Sequence, residues 1–152
     1  MLSKSLGAWL FAVLSFVALS GCATPQLNFS VDASRAINLD ESGDAYAVVV
    51  RVYQLTDPVL FERSEFDDMW KADEQILADT LVSLHEITVE PSLSRTVSIE
   101  KAERARYAGV VAYFRNDDGQ WRAHRKVNHG FIRASTNMTL KLDGNRVELE
   151  YR

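Results

Sequence analysis

The sequence predicts an all-β protein, a two-sheet β-sandwich with one or two short helical insertions. Eight short segments are either apolar or alternate between apolar and polar residues with a period of two, which is typical of strands. Turn-forming clusters of Asn, Asp, Gly, Ser and Pro separate these segments. Only one segment has a clear helical period. Eight short strands, regular turn signals and one small helix are typical of a β-sandwich.

The predicted strands differ in how apolar their two faces are. Residues 45–55 and 107–115 are apolar on both faces, which predicts interior strands that are covered on both sides. Residues 77–83 fit a helix and a strand equally well, and their state stays open. In chain order, the predicted strands are 27–33, 45–55, 84–89, 95–99, 107–115, 121–127, 136–142 and 145–151.

Residues 64–71 form the predicted helix. Ser64 is suited to cap its N-terminus. Three large apolar side chains share one face, and we expect them to be buried against the sandwich: Phe66, Met69 and Trp70. Trp70→Ala is then expected to cost roughly 3–5 kcal/mol. Four acidic residues are expected to form a solvated face, since they lack the spacing of a calcium loop: Asp67, Asp68, Asp73 and Glu74.

The N-terminal segment predicts a lipid anchor. An apolar run from Leu6 to Leu19 follows Lys4 and is shorter than the ~20 residues that a spanning helix needs. The sequence Leu-Ser-Gly-Cys then ends at Cys22, the only cysteine, and matches a bacterial lipoprotein signal. We expect residues 1–21 to be a removed signal peptide, 22–26 a lipidated tether and 27–152 the sandwich domain. Ala23, in place of Asp, points to the outer membrane.

Composition excludes several kinds of partner. The net charge is −4 and becomes −5 when the signal segment, with its single lysine, is removed. This acidic balance argues against nucleic acid and against electrostatic docking on anionic lipid. The three histidines lack the spacing of a metal site: His85, His124 and His129.

The sequence also lacks the usual marks of an enzyme. No serine lies in a G-x-S-x-G elbow, and no glycine-rich loop is available for phosphate. We expect no catalytic residue, no metal, no small-molecule substrate and no cofactor other than the covalent lipid on Cys22.

Residues 35–44 interrupt the strand pattern and predict a polar loop. Two apolar residues, Ile37 and Leu39, lie inside it. They either fold back onto the sandwich or remain exposed for a partner.

Beyond the lipoprotein signal at Cys22, four segments are distinctive: VVVRVYQL (48–55), FERSEFDDMW (61–70), HEITVEP (85–91) and GVVAYFRNDDGQWR (109–122). Together with that signal they resemble the TssJ family, the outer-membrane lipoproteins of the type VI secretion system. The R-V-Y-Q-L and helix-containing segments are the most specific. The pattern departs at Ser92, where a glycine is expected after the proline.

The resemblance implies a transthyretin-like sandwich on the periplasmic face of the outer membrane. It also implies binding to the periplasmic C-terminal region of the inner-membrane protein TssM, which associates with TssL in a trans-envelope complex. In the family, the loop between the first two strands contacts TssM. The partner-binding residues that this implies here are Ile37, Asn38, Leu39, Asp40, Glu41, Ser42 and Asp44.

Two other functions fit a small lipoprotein sandwich. A periplasmic carrier or chaperone would hold a ligand or peptide in a deep apolar pocket, whereas a scaffold would have a filled core and a polar rim. A secretin pilotin would use the same kind of anchor and bind a secretin tail.

Overall fold

The computed structural model describes residues 24–127 and 134–152. The strands are β1 (Gln26–Ile37), β2 (Val48–Leu55), β3 (Leu81–Val89), β4 (Ser94–Glu100), β5 (Tyr107–Tyr113), β6 (Arg122–Lys126), β7 (Thr136–Gly144) and β8 (Arg146–Tyr151). Between β2 and β3 lie α1 (Val59–Arg63), α2 (Phe66–Leu77) and a short 3₁₀ turn (Ala78–Thr80). Among the described residues, no helix has the length and apolar character needed to cross a membrane.

The eight strands form two four-stranded sheets, which confirms the predicted β-sandwich. One sheet has the order β4-β1-β7-β8, and the other has the order β3-β2-β5-β6. β1 and β7 pair in parallel, while the other neighbours are antiparallel. Both strands predicted to be interior, β2 and β5, lie in the middle of the second sheet.

The main core lies between the two sheets. Alternate residues of each strand enter it, as the period-two pattern predicts. Its fully buried members include Phe29 of β1, Val50 of β2, Val110 of β5 and Leu140 of β7. Because these side chains pack into one continuous cluster, the sandwich needs no disulfide to bury a substantial apolar surface.

A second, smaller core lies on the outer face of the second sheet, beneath the helices. It contains Tyr53 and Val111 from the sheet, Phe61 from α1, and Met69 and Leu77 from α2. This layer explains why β2 and β5 are apolar on both faces, since one face meets the other sheet and the opposite face meets the helices.

Several predicted boundaries differ from the structure. β1 extends to Ile37, and β2 begins at Val48. The connection between them therefore covers residues 38–47, whereas the sequence predicted a loop over residues 35–44. The undecided segment 77–83 divides into a helix end, a 3₁₀ turn and the start of β3. The connection between the predicted strands 121–127 and 136–142 lies mostly outside the described residues.

The predicted capping role of Ser64 is wrong. Glu65 precedes the first residue of α2, and no side chain caps that helix. Ser64 instead ends α1, and its hydroxyl donates to the carbonyl of Leu60 at 2.6 Å. A serine that follows a short helix can satisfy the carbonyl four residues back, and that competing bond removes it from the next N-terminus.

The sandwich has two distinct ends. The N-terminal end comprises residues 24–26, 56–58, 78–80, 100–106, 126–127, 134–136 and 151–152. The hairpin end comprises residues 38–47, 90–93, 114–121 and 144–146. At the first, the N–H of Lys101 donates to the carbonyl of Pro25 at 2.9 Å, and at the second, the N–H of Asn38 donates to Gly144 at 3.0 Å.

Candidate partner-binding surface

The connection between β1 and β2 is a compact hairpin. Leu39 and Ala45 form an isolated antiparallel bridge. Inside it, the N–H of Asp40 donates to the carbonyl of Asp44 at 3.0 Å, and the N–H of Gly43 donates to Asp40 at 3.0 Å. Gly43 has φ +85°, which a side chain would disfavour. The backbone of this segment is therefore ordered by its own hydrogen bonds.

The carboxylate of Asp40 organises the hairpin from within. Its Oδ1 accepts the N–H groups of Ser42 at 2.9 Å and Asp44 at 3.0 Å, and its Oδ2 accepts the hydroxyl of Tyr46 at 3.1 Å. The backbone bond from Asp44, followed by those from Tyr46 and Ser42, holds the pKa of Asp40 below its ordinary value. Asp40 thus has a structural role in addition to its place in the predicted interface.

Two of the seven predicted partner-binding residues are buried. Ile37 is the last residue of β1 and belongs to the main core, because its side chain continues the inward face of the strand. Asn38 is also buried, and its amide donates to the carbonyl of Ala47 at 3.0 Å while its Oδ1 accepts the N–H of Arg115 at 2.7 Å. Of the two alternatives for Ile37, it therefore folds back onto the sandwich, and its implied place among the accessible partner-binding residues is corrected.

An open cleft of about 580 Å³ is lined by four of the five remaining residues, Leu39, Asp40, Glu41 and Ser42, together with Arg115 and Asn116. Glu41, Ser42 and Asp44 are exposed, and Leu39 is half-buried. Across the cleft lies Arg115, whose guanidinium is 5.0 Å from the ring centre of Tyr46. The surface therefore combines one half-buried apolar side chain, that of Leu39, with neighbouring carboxylates and the guanidinium of Arg115.

A polar network, which sequence patterning missed, joins the helices to the second sheet. Asp73 is buried, and its Oδ2 accepts Arg51 at 3.0 Å and the hydroxyl of Tyr53 at 2.8 Å. The hydroxyls of Tyr53 and Tyr113 lie 3.0 Å apart, and Tyr113 also donates to the carbonyl of Met69 at 3.0 Å. The expectation that Asp73 lies on a solvated helix face is wrong. The helix is kinked at Ala72, and the side chain of Asp73 faces the sheet and is buried.

Burial governs the titration of this network. Desolvation, followed by the bonds to Tyr113 and Asp73, raises the pKa of Tyr53 above its ordinary value. Desolvation also raises the pKa of Tyr113. The sequence signal for the network is a polar residue at alternate positions of an otherwise apolar strand, Arg51 and Tyr53, on the face that the helices cover.

Trp70 is half-exposed, so the prediction that it is buried is wrong, whereas Met69 is fully buried as predicted and Phe66 is partly buried. The Trp70 ring meets the ring of Tyr113 edge-on at 4.8 Å, and the guanidinium of Arg51 lies 5.4 Å from its centre. Trp70 therefore covers the network from outside and contributes less buried area than a core tryptophan.

The described residues contain no group of three metal-binding side chains. His124 pairs with Glu62 at 3.1 Å and packs edge-on against Phe61, so its surroundings tie it to α1. Cys22 and His129 lie outside the described residues.

A family model matches residues 25–145, which is most of the chain. Its description reads "Type VI secretion lipoprotein, VasD, EvfM, TssJ, VC_A0113". A search of curated protein sequences gave no match.

Solved structures share the fold. The type VI secretion lipoprotein TssJ1 from Pseudomonas aeruginosa aligns with a TM-score of 0.77 at 21% identity, over 85% of this chain and 97% of that one. Serratia marcescens Lip, described as a membrane-bound component of the type VI secretion system, aligns with a TM-score of 0.71 at 18% identity, over 86% and 99%.

A chain in a structure described as the type VI secretion protein TssM C-terminal domain from EAEC aligns with a TM-score of 0.67 at 26% identity, over 83% of this chain and 99% of that one. With the family model, these likenesses confirm the resemblance seen in the sequence. The family consists of structural lipoproteins and not of enzymes. A lipoprotein family implies membrane anchoring. The chain belongs to the TssJ family of type VI secretion lipoproteins.

Proposed function

We propose that this protein is anchored to the periplasmic face of the outer membrane and binds the periplasmic C-terminal region of TssM. In this proposal, residues 1–21 are removed, Cys22 is acylated, and residues 22–26 tether the domain 27–152. TssL is linked indirectly through TssM. The protein then fixes the trans-envelope assembly to the outer membrane.

The main support is the course of β1. The strand starts at Gln26, next to the proposed tether, and ends at Ile37, where the hairpin begins. Twelve residues at ~3.3 Å each separate the two ends by about 40 Å. A lipid at Cys22 would therefore leave the hairpin far from the membrane, toward a partner that arrives from the inner membrane.

The shape of the hairpin also favours binding. Its backbone is held by Asp40 and by the buried Asn38, so little conformational entropy remains to be lost on association. Loops that a rigid scaffold positions commonly carry recognition. The partner contacts that we propose are the accessible ones: Leu39 at the centre, and Glu41, Ser42 and Asp44 at the rim. Ile37 and Asn38 support them from inside.

Comparison with a structure whose description names the TssM C-terminal domain supports this choice of partner, because that structure contains a chain with the present fold. A carrier would need an enclosed apolar cavity. Three clefts along the described part of the chain are instead open and lined largely by polar residues.

The test of the interface is charge reversal at the rim of the hairpin. Glu41→Lys with Asp44→Lys replaces two exposed carboxylates and leaves Asp40 and Asn38 in place. We expect at least a tenfold loss of affinity for the periplasmic C-terminal region of TssM. Complementary charges at the rim of an interface steer the encounter, and reversal of their sign places like charges opposite each other. Calorimetry measures the affinity, and a thermal melt checks the fold.

Glu74→Lys with Asp79→Lys is the matched control. It makes the same change of charge at exposed positions beside the helical layer. Wild-type affinity in the hairpin variant, with an unchanged melt, would place the TssM contact elsewhere. An equal loss in both variants would mean that overall charge, and not the hairpin, governs binding.

The anchor has its own test. Cys22→Ser removes the acylated thiol, and we expect the protein to leave the outer-membrane fraction while keeping its fold. Stable membrane residence requires more than one acyl chain, each contributing ~0.8 kcal/mol per buried methylene. Normal fractionation and normal secretion by the serine variant would contradict the proposed lipidation.

A further inference from the structure

Four aromatic side chains form a continuous strip on the helix-covered face of the second sheet. They come from α2, from the last residue of β5 and from the residue before β6: Phe66, Trp70, Tyr113 and Trp121. The ring centre of Tyr113 lies 4.8 Å from that of Trp70 and 5.7 Å from that of Phe66. The ring centre of Phe66 in turn lies 5.3 Å from that of Trp121. Because Trp121 belongs to the hairpin end, this aromatic strip begins there and extends along α2.

The aromatic strip adjoins the hairpin cleft. Tyr113 ends β5, and Arg115, two residues later, lines the cleft. Two residues of extended chain span at most about 7 Å. The N–H of Arg115 donates to Oδ1 of the buried Asn38 at 2.7 Å, which fixes this part of the chain against the hairpin. The strip and the proposed hairpin interface therefore form one continuous surface.

Trp70 is the accessible member of the strip. It is 50% exposed, whereas the other three residues are partly buried. The hydroxyl of Tyr113 donates to the carbonyl of Met69 at 3.0 Å, and the Tyr113 ring meets the indole of Trp70 edge-on, so the indole is held in place. A large, rigid side chain of this kind loses little conformational entropy on binding. Tryptophan is also among the residues that contribute most binding energy at protein interfaces.

The cation–π positions on the strip are occupied by arginines of this chain. The guanidinium of Arg51 lies 5.4 Å from the ring centre of Trp70 and 5.2 Å from that of Tyr113. The guanidinium of Arg122 lies 4.5 Å from the ring centre of Trp121. A cation from a partner that approached these rings would therefore meet a like charge.

A carboxylate from a partner would also find no free cation on α2 or β2 beside Trp70. The guanidinium of Arg51 already binds two carboxylates, at 3.0 and 2.9 Å: Asp73 and Glu86. Lys71, the next residue of α2, lies 3.6 Å from Asp67. Further exposed carboxylates of α2 would repel the incoming one: Asp68 and Glu74. An apolar group is the chemistry that fits the exposed indole, because it displaces only water.

We propose that Trp70 is a second anchor of the partner interface. The surface that binds TssM continues from the hairpin over Arg115 and Tyr113 to the aromatic strip, where Trp70 contacts an apolar side chain of that partner. This inference rests on the proposed function. The two parts together have the anatomy of a protein interface, in which an apolar aromatic centre accompanies a polar rim.

Trp70→Ala tests the anchor. Calorimetry of the mature protein with the periplasmic C-terminal region of TssM should show about a thirtyfold loss of affinity, as expected of an interface hot spot. Trp70→Phe keeps an aromatic ring and should remain within about fivefold of the wild type. Trp70→Gln keeps a long side chain over Arg51 but removes the apolar ring, and it should lose as much affinity as the alanine variant. Thermal melts check the fold of each variant.

The matched control is Tyr151→Ala. Tyr151 is 53% exposed, as accessible as Trp70, but lies at the N-terminal end. Its replacement should leave the affinity for TssM unchanged. Equal losses in Trp70→Ala and Tyr151→Ala would overturn the proposal, because the loss would then follow from removal of any exposed ring.

Salt separates the apolar anchor from the charged rim. Screening weakens contacts between exposed charges and leaves an apolar contact in place. The fold-loss caused by Trp70→Ala should therefore be the same at about 0.05 M and about 0.5 M NaCl, whereas the loss caused by Glu41→Lys with Asp44→Lys should shrink at the higher concentration. If the Trp70→Ala loss shrank in parallel, Trp70 would meet a charge of the partner, and the apolar anchor would be refuted.

The anchor and the proposed function fail in different ways. Absence of binding between the wild-type protein and the TssM region would refute the proposed function. Binding by the wild type, with loss of affinity in the hairpin variant and wild-type affinity in a normally melting Trp70→Ala, would refute the anchor at Trp70 alone.

Discussion

Removing the carboxylate of Asp73 should destabilise the protein far more than its place on a surface helix suggests. Asp73→Ala deletes a bond from Arg51 and one from Tyr53, together with a local bond from the N–H of Glu74 that water can replace. Hydrogen bonds to charged groups contribute about 1.5–3 kcal/mol each. The Arg51 head keeps Glu86 at 2.9 Å and is partly exposed, so water replaces much of its loss. The fully buried Tyr53 keeps only Tyr113. We expect a total cost of about 2–3 kcal/mol.

Urea unfolding, extrapolated linearly to water, measures this cost. The control is Asp67→Ala on the same helix, where the carboxylate is 77% exposed and 3.6 Å from Lys71. An exposed pair of this kind contributes only ~0.3–0.5 kcal/mol. If the two alanine variants unfolded at the same urea concentration, Asp73 would be solvated in the native protein, and the proposed join between helix and sheet would be refuted.

Three further predictions concern single positions. Because the pKa of Tyr53 is raised, the folded state keeps the phenol proton above about pH 10, where the unfolded state loses it, and the free energy of unfolding falls as the pH rises. In Tyr53→Phe, this fall should be shallower by ~1.4 kcal/mol per pH unit, measured by urea unfolding at alkaline pH. Ser92→Gly should stabilise by about 0.5–1 kcal/mol and raise the melting temperature, since Ser92 is exposed with φ +63°. Gly119→Ala should lower the melting temperature at a cost of about 1–3 kcal/mol, because its Cβ would lie 2.0 Å from the carbonyl oxygen of Asn145.

The strands could be predicted because burial determines their apolar pattern: one buried face gives a period of two, and two buried faces give a continuous apolar run. Residues 107–115 were apolar on both faces, and β5 is covered by the other sheet and by the helices. Residues 77–83 could not be assigned, because a helix end, a 3₁₀ turn and a strand start follow one another within seven residues. Local periodicity needs a longer uniform segment than that.

Side-chain burial in the helical layer was less predictable. Phe66, Met69 and Trp70 share a helical face in the sequence, yet only Met69 is fully buried. A helix that lies on one sheet at the edge of a domain buries a narrow stripe, and the kink at Ala72 turns that stripe toward Asp73. The partner of a charge depends on which residue the facing strand presents, and a single helix does not encode that.

Three residues of the R-V-Y-Q-L segment form hydrogen bonds that hold the fold together: Arg51, Tyr53 and Gln54. Arg51 and Tyr53 bind Asp73 beneath the helices. Gln54, fully buried, donates to the carbonyl of Glu100 at 2.7 Å and accepts the N–H of Ala102 at 2.8 Å, which fixes the connection at the N-terminal end. Such buried polar groups specify one arrangement, because any other leaves them unpaired. The segment that makes the sequence resemble its family thus holds the helices and one end of the sandwich in place.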